Sequence, residues 1–191
     1  MKYLKIQISG LVLLAMCMLF PMQASAQWSF GASYEMRNEV PENGFGVRLE
    51  RDLLGKLPLI DLGLRAHFSF FNEENELSKD GGSTISGDFT YYDYGLAATG
   101  GVSLGLFKPY VGLGIGNDNV EFVGDTDDND FDKSEIFWNT FIGAELTIIP
   151  KLKPFIEYRF EPSDSFEDIE ADFNNFSDSD GRLILGVLLT F

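Results

Sequence analysis

Along eight separate segments of this chain apolar side chains recur at nearly every second position, and a period of two suits only extended strands with two unlike faces. The segments are Trp28–Arg37, Phe45–Leu53, Ile60–Phe71, Phe89–Leu104, Pro109–Gly116, Glu135–Ile148, Lys153–Glu161 and Gly181–Phe191. Most of them reach the ~9–11 residues that a tilted membrane strand needs. No stretch beyond residue 26 sustains a helical period.

Splitting each segment by parity separates two chemistries. One face carries Trp28, Phe30, Tyr34, Phe45, Leu64, Phe68, Phe70, Tyr92, Tyr94, Trp138, Ile142, Tyr158, Phe160, Leu185 and Leu189. The other carries Ser29, Gly31, Ser33, Gly46, Gly63, His67, Asp93, Gly95, Gly112, Gly114, Asn139 and Gly143. It also carries the charges Glu35, Arg37, Arg48, Glu50, Asp61, Arg65, Glu145, Glu157 and Arg159. A soluble barrel of the lipocalin type alternates in the same way, so alternation alone does not orient the faces. Volume does, because the interior of an eight-stranded barrel is just wide enough to be filled by side chains. The aromatics of the apolar face are too many for that lumen, whereas a glycine-rich face suits it. Aromatics also gather toward the strand ends, where interfacial girdles sit. The prediction is an all-β fold, an eight-stranded antiparallel up-and-down transmembrane β-barrel with the charged face inward.

The connections alternate in length. Leu54–Leu59, Gly105–Lys108 and Ile149–Leu152 are tight; Asn72–Asp88, Asn117–Ser134 and Pro162–Asp180 are long and polar, and Asn38–Gly44 is a shorter member of that set. Outer-membrane barrels have short periplasmic turns and long external loops, which puts both termini on the periplasmic side and predicts the bacterial outer membrane as the location. Of the 30 acids, 20 fall in Asn72–Asp88, Asn117–Ser134 and Glu161–Asp180. These acidic external loops are the expected contact with an extracellular surface partner or with divalent cations. The net charge of −16 excludes nucleic acid as a partner, since that requires a basic footprint. Asp125–Asp132 has the look of a calcium loop, but Asp130 and Ile136 stand where an EF-hand needs glycine and a bidentate glutamate. No specific metal site and no cofactor are expected.

Lys2 and Lys5, the apolar run Gly10–Phe20 and the small-x-small Ala24-Ser25-Ala26 form a secretory signal peptide. Residues 1–26 are therefore expected to be removed, leaving residues 27–191 as the barrel domain. The sole cysteine, Cys17, would leave with them, and Leu14-Ala15-Met16-Cys17 is a poor lipobox. Loss of Lys2 and Lys5 would take the net charge from −16 to −18.

Charges buried in a narrow lumen must be paired, because an unpaired one costs several kcal/mol. The inward charges are accordingly expected to form a structural network, with a gated narrow pore as the alternative. His67-Phe68-Ser69 resembles the histidine–serine pair of lipid A deacylases, which face lipid near the C-terminal end of their barrels. Here the pair falls on the third strand and on the lumen face, and no acid has an evident claim to orient the histidine. No catalytic residues are expected, and a lipid A-modifying enzyme is the least favoured reading.

Three stretches resemble the OmpA/OmpX-type outer-membrane β-barrel domain family. They are Lys108-Pro109-Tyr110-Val111-Gly112-Leu113-Gly114-Ile115-Gly116, Lys153-Pro154-Phe155-Ile156-Glu157-Tyr158-Arg159-Phe160, and Leu183–Phe191 with its closing aromatic. The resemblance covers residues 27–191, without the periplasmic peptidoglycan-binding domain that OmpA itself carries. It implies a non-enzymatic integral outer-membrane protein, structural or surface-interacting, set among lipid and lipopolysaccharide. It further implies that Phe191 is part of the signal read by the outer-membrane insertion machinery.

N-terminal sequencing of the protein recovered from the outer-membrane fraction should begin at Gln27. A chain still starting at Met1, or one lipidated at Cys17, would contradict the cleavage.

Overall fold

The computed structural model describes residues 27–38, 41–53, 59–79, 83–124, 131–149, 151–161 and 181–191. The expected signal peptide (1–26), all but the last residue of the expected turn Leu54–Leu59 (54–58), the expected loop 162–180 and the first six residues of the Asp125–Asp132 stretch (125–130) lie outside the described residues. The described residues form eight strands: β1 Trp28–Arg37, β2 Asn43–Asp52, β3 Ile60–Lys79, β4 Ser83–Val102, β5 Phe107–Gly124, β6 Phe131–Leu146, β7 Leu152–Phe160 and β8 Gly181–Thr190. Each pairs antiparallel with the next, and β8 returns to β1, so the sheet is closed. At the seam Trp28 N donates to Phe191 O (3.2 Å) and Phe191 N donates to Trp28 O (2.9 Å). Closure leaves no free edge around the wall, the condition for a sheet to cross lipid.

The outward parity is the apolar one. Phe45 is 70 % exposed, Ile142 62 %, Leu113 61 % and Trp138 51 %. In water such a surface would be an aggregation site, whereas in lipid it is the expected wall. The tight turns lie at one end: Leu104 bridges Phe107 and Ile149 bridges Leu152, with Gly105 at φ 71° in the left-handed region.

Two expected loops are largely strand. Asn72–Asp88 continues the β3–β4 hairpin, paired from Asn72↔Thr90 out to Lys79↔Ser83. Asn117–Ser134 continues β5–β6, paired out to Phe122↔Phe131. The reason is that apolar contrast marks a strand only where one face meets lipid. Beyond the membrane both faces meet water, the contrast disappears, and backbone pairing carries on.

The lumen also holds aromatics, which the sequence reading placed on neither face. Phe71, Tyr91, Tyr110, Phe137, Phe141 and Phe155 are all buried. Glycines make their space, because several face an aromatic directly across the ladder: Gly112↔Phe141, Gly116↔Phe137 and Gly143↔Tyr110 on β5–β6, and Gly186↔Phe155 on β7–β8. A Cβ on Gly143 would lie 2.5 Å from the Tyr110 ring, and one on Gly112 would fall inside the Phe141 ring contact distance. Tyr110 and Phe141 then meet edge to face, with centroids 6.3 Å apart.

Gly112→Val and Gly143→Val should therefore each destabilise the barrel by about 1–3 kcal/mol through overpacking, although valine is the better strand former. Gly100→Val is the control: it lies on the outward parity, where a Cβ meets only Leu62 Cδ2 at 3.6 Å. Urea midpoints in vesicles should fall for the first two and stay or rise for the third. Equal midpoints for all three would remove this account of the glycines.

Candidate functional site: the charged lumen

The lumen charges come from strands on opposite walls and meet in two groups. In the first, Glu50 and Arg65 are directly opposed in the β2–β3 register, and Arg65 Nε donates to Glu50 Oε1 at 2.8 Å. Arg48 Nε lies 3.1 Å from the same oxygen. The center of the group is Glu157 on β7. Its Oε2 accepts from Arg65 Nη1 (2.5 Å), Arg48 Nη1 (3.2 Å) and Tyr110 Oη (2.9 Å), and its Oε1 from Arg159 Nη2 (3.4 Å). The guanidinium planes rest on rings, Arg48 over Phe155 at 3.4 Å and Arg65 over Phe141 at 4.3 Å. Each arginine thus has carboxylates at its edge and an aromatic face against its plane, the two contacts a guanidinium makes best.

The second group answers a row of like charges. Register places Arg37, Arg182 and Arg159 side by side across β1, β8 and β7, and like charges directly opposed are destabilising. Carboxylates from elsewhere in the barrel resolve this. Arg182 Nη1 donates to Asp93 Oδ2 of β4 (2.6 Å) and to Glu35 Oε2 (3.3 Å), and its Nη2 donates to Glu161 Oε2 and to Tyr91 Oη (3.2 Å). Arg159 Nη1 lies 3.8 Å from Asp93 and 3.9 Å from Glu161. Tyr91 Oη donates onward to Asp118 (3.1 Å).

Not every expected member joins these groups. Arg37 makes no ion pair among the described residues; its guanidinium lies over the Tyr91 ring at 4.2 Å and the Phe71 ring at 5.4 Å. Asp61 and Glu145 sit nearer the turns, each just within 4 Å of Lys108 Nζ, and Asp61 accepts from Ser103 Oγ at 2.7 Å. Sequence reasoning missed Arg182, Asp93, Glu161, Tyr91 and Tyr110 as members. Inward positions on β8 are otherwise apolar or small (Ile184, Gly186, Leu188, Thr190), so parity on that strand did not advertise Arg182.

His67 does have an acid partner, contrary to the expectation. Asp93 Oδ1 lies 3.5 Å from His67 Nε2, and Ser69 faces Asp93 across β3–β4. Ser69 and Asp93 are both 0 % exposed and His67 6 %, so the three are buried within the lumen. Arg65, Glu157 and Asn139 are buried as fully, which leaves the center of the barrel filled. Phe191 stands apart from all of this, exposed on the outer wall beside β1.

No family model matches the chain, and no curated protein matches it. Solved structures do. The N-terminal β-barrel domain of Pseudomonas aeruginosa OprF aligns at TM-score 0.57 with 13% identity, over 86% of this chain and 97% of that one. Neisserial surface protein A aligns at 0.55 with 15% identity, over 88% and 98%. Ail, the attachment invasion locus protein of Yersinia pestis, aligns at 0.54 with 19% identity, over 87% and 97%. These likenesses are of fold. With the apolar wall and the charge-filled interior they make the chain an eight-stranded β-barrel of the bacterial outer membrane.

Removing Arg182 would strand Asp93, Glu161 and Glu35 in the lumen, and breaking a buried pair in this way costs about 3–5 kcal/mol. Arg182→Ala should therefore lower the urea midpoint well below that of Asp132→Ala, whose carboxylate is exposed on the far end of β6. Equal midpoints would mean that the lumen charges are hydrated.

Proposed function

We propose that this barrel is a non-enzymatic surface protein that engages its partner through a four-stranded sheet projecting from the outer membrane. One observation carries the reading. β3, β4, β5 and β6 run 16–20 residues, whereas β1, β2, β7 and β8 run 9 or 10. β2 pairs with β3 only as far as Phe71, and β7 pairs with β6 only from Thr140 on. Residues 72–79 of β3 and 134–139 of β6 consequently pair with one strand only among the described residues. An edge of unpaired N–H and C=O groups is a template for another extended chain. The Yersinia pestis neighbor is named for attachment and invasion, a role this geometry would serve.

The remaining parts of the reading follow from the same orientation. The acids concentrated beyond the membrane would bind divalent cations loosely and bridge to anionic lipopolysaccharide, since calcium and magnesium prefer oxygen ligands. Phe191 would be read by the insertion machinery, and residues 1–26 would direct export. A lumen braced by ion pairs would conduct no ions.

The test trims the projection and leaves the barrel. Replacing residues 75–87 and residues 122–131 each by Asn-Gly closes both hairpins with a two-residue turn, on the pairs Glu74↔Asp88 and Glu121↔Asp132. The trimmed protein should remain heat-modifiable in the outer membrane, while adhesion of expressing cells to epithelial monolayers falls several-fold. Lipid A mass spectra should be identical with and without the protein. Unchanged adhesion after trimming, or altered lipid A, would overturn the proposal.

A further inference from the structure

Within the apolar belt the outward strand positions are uncharged with one exception, Arg51, at the second-last position of β2. A charge on the lipid face is costly at mid-membrane and tolerable near the interface. Arg51 lies beside the interfacial Trp28, its β1 partner in register, with the guanidinium 5.1 Å from the indole ring. Its Nε is buried and has no hydrogen-bond partner, and it makes no ion pair among the described residues. The connection that follows, residues 53–59, contains no acid, and the adjacent Asp52 is on the opposite parity.

A groove in the wall begins at this arginine. One of its rows runs Arg51, Leu64, Ala98, Leu113 across β2 to β5, and the next runs Leu49, Ala66, Leu96, Ile115. Ala98 and Ala66 are the small residues, and the leucines flanking them form the sides. The groove also climbs. Arg51 is one residue from the turn end of its strand, Leu64 and Ala98 are four, and Leu113 is six. The cationic end is therefore at the periplasmic rim and the apolar end well inside the membrane.

From this geometry we infer that the groove binds one anionic phospholipid of the periplasmic leaflet, its phosphate on Arg51 and an acyl chain laid over Ala98 and Ala66. The inference rests on the outer-membrane orientation argued above. A guanidinium left with free donors at an interface matches a phosphodiester in charge and geometry, and the climbing groove matches an amphiphile with its head at the rim. Trp28 closes the site on the remaining side.

Trp28 also reports on it, because the only other tryptophan, Trp138, can be replaced by Phe. The single-tryptophan mature chain is reconstituted in phosphatidylcholine vesicles containing a minor fraction of brominated phosphatidylglycerol, or the same fraction of brominated phosphatidylcholine. Phosphatidylglycerol should quench Trp28 with about fivefold higher apparent affinity, the contribution of one basic residue at a membrane surface. Arg51→Gln should bring that ratio to about one, Arg51→Lys should retain it, and Ala98→Leu should lower it by filling the groove. Equal quenching by the two lipids in the parent overturns the site while leaving the barrel in the membrane. A cross-linked dimer that protects Trp28 from both lipids overturns it in favour of a second copy. No quenching by either lipid in a monomer would remove the membrane orientation as well.

Discussion

The interior of a closed eight-stranded barrel is too narrow to hydrate a charge, so a charged group placed there needs its counter-charge from another strand. Glu157 meets that constraint most fully. One carboxylate on β7 accepts hydrogen bonds from β2, β3 and β5, strands that do not pair with β7. Asp93 does the same on β4, accepting from Arg182 of β8 on another part of the wall. Such pairs are weak evidence of net stability, because desolvation offsets much of the attraction. What they supply is register. Slipping one strand by a residue would turn its arginine to lipid and leave its partner uncompensated, so the ladder has one acceptable alignment.

The filling around those charges obeys the same restriction on volume. A residue chosen for the lumen must leave room for the one opposite, and the glycines of β5, β6 and β8 do so by having no side chain where a ring crosses. The rings in turn lie under the arginines, as Phe155 does under Arg48 and Phe141 under Arg65. Glycine, aromatic and arginine thus form a sequence of dependences. Without Gly112 the Phe141 ring is displaced, and without that ring Arg65 loses the surface that holds its fork toward Glu50 and Glu157.

This explains which parts of the fold were legible in the sequence. Strand number, pairing order and the sense of the two faces follow from apolar alternation wherever one face meets lipid, and they agree with the structure from Trp28 to Thr190. The projecting halves of β3 to β6 were not legible, because water on both sides removes the contrast that marks a strand. The lumen charges could be enumerated only in part, without Arg182, Asp93 and Glu161, and could not be paired, since pairing depends on which walls approach one another. Arg37 shows the difference: it shares the parity of the others, but among the described residues it sits over Tyr91 and Phe71 and makes no ion pair. Asp93 shows the converse, an isolated acid between Tyr92 and Tyr94 that closure brings to Arg182 and that β3–β4 pairing brings near His67.

The distribution of satisfied groups also says where function can reside. In the lumen Glu157 and Arg182 are engaged from several strands, and the Ser69–His67–Asp93 set is buried beside them. The outer wall is committed to lipid along nearly its whole height. Among the described residues, the far ends of β3 and β6 pair with one strand only, and Arg51 at the other end of the barrel makes no ion pair. These two places lie at opposite ends of the barrel. In the proposed role, the charge-braced barrel between them would hold the projecting sheet upright while its rim at the turn end sits against lipid.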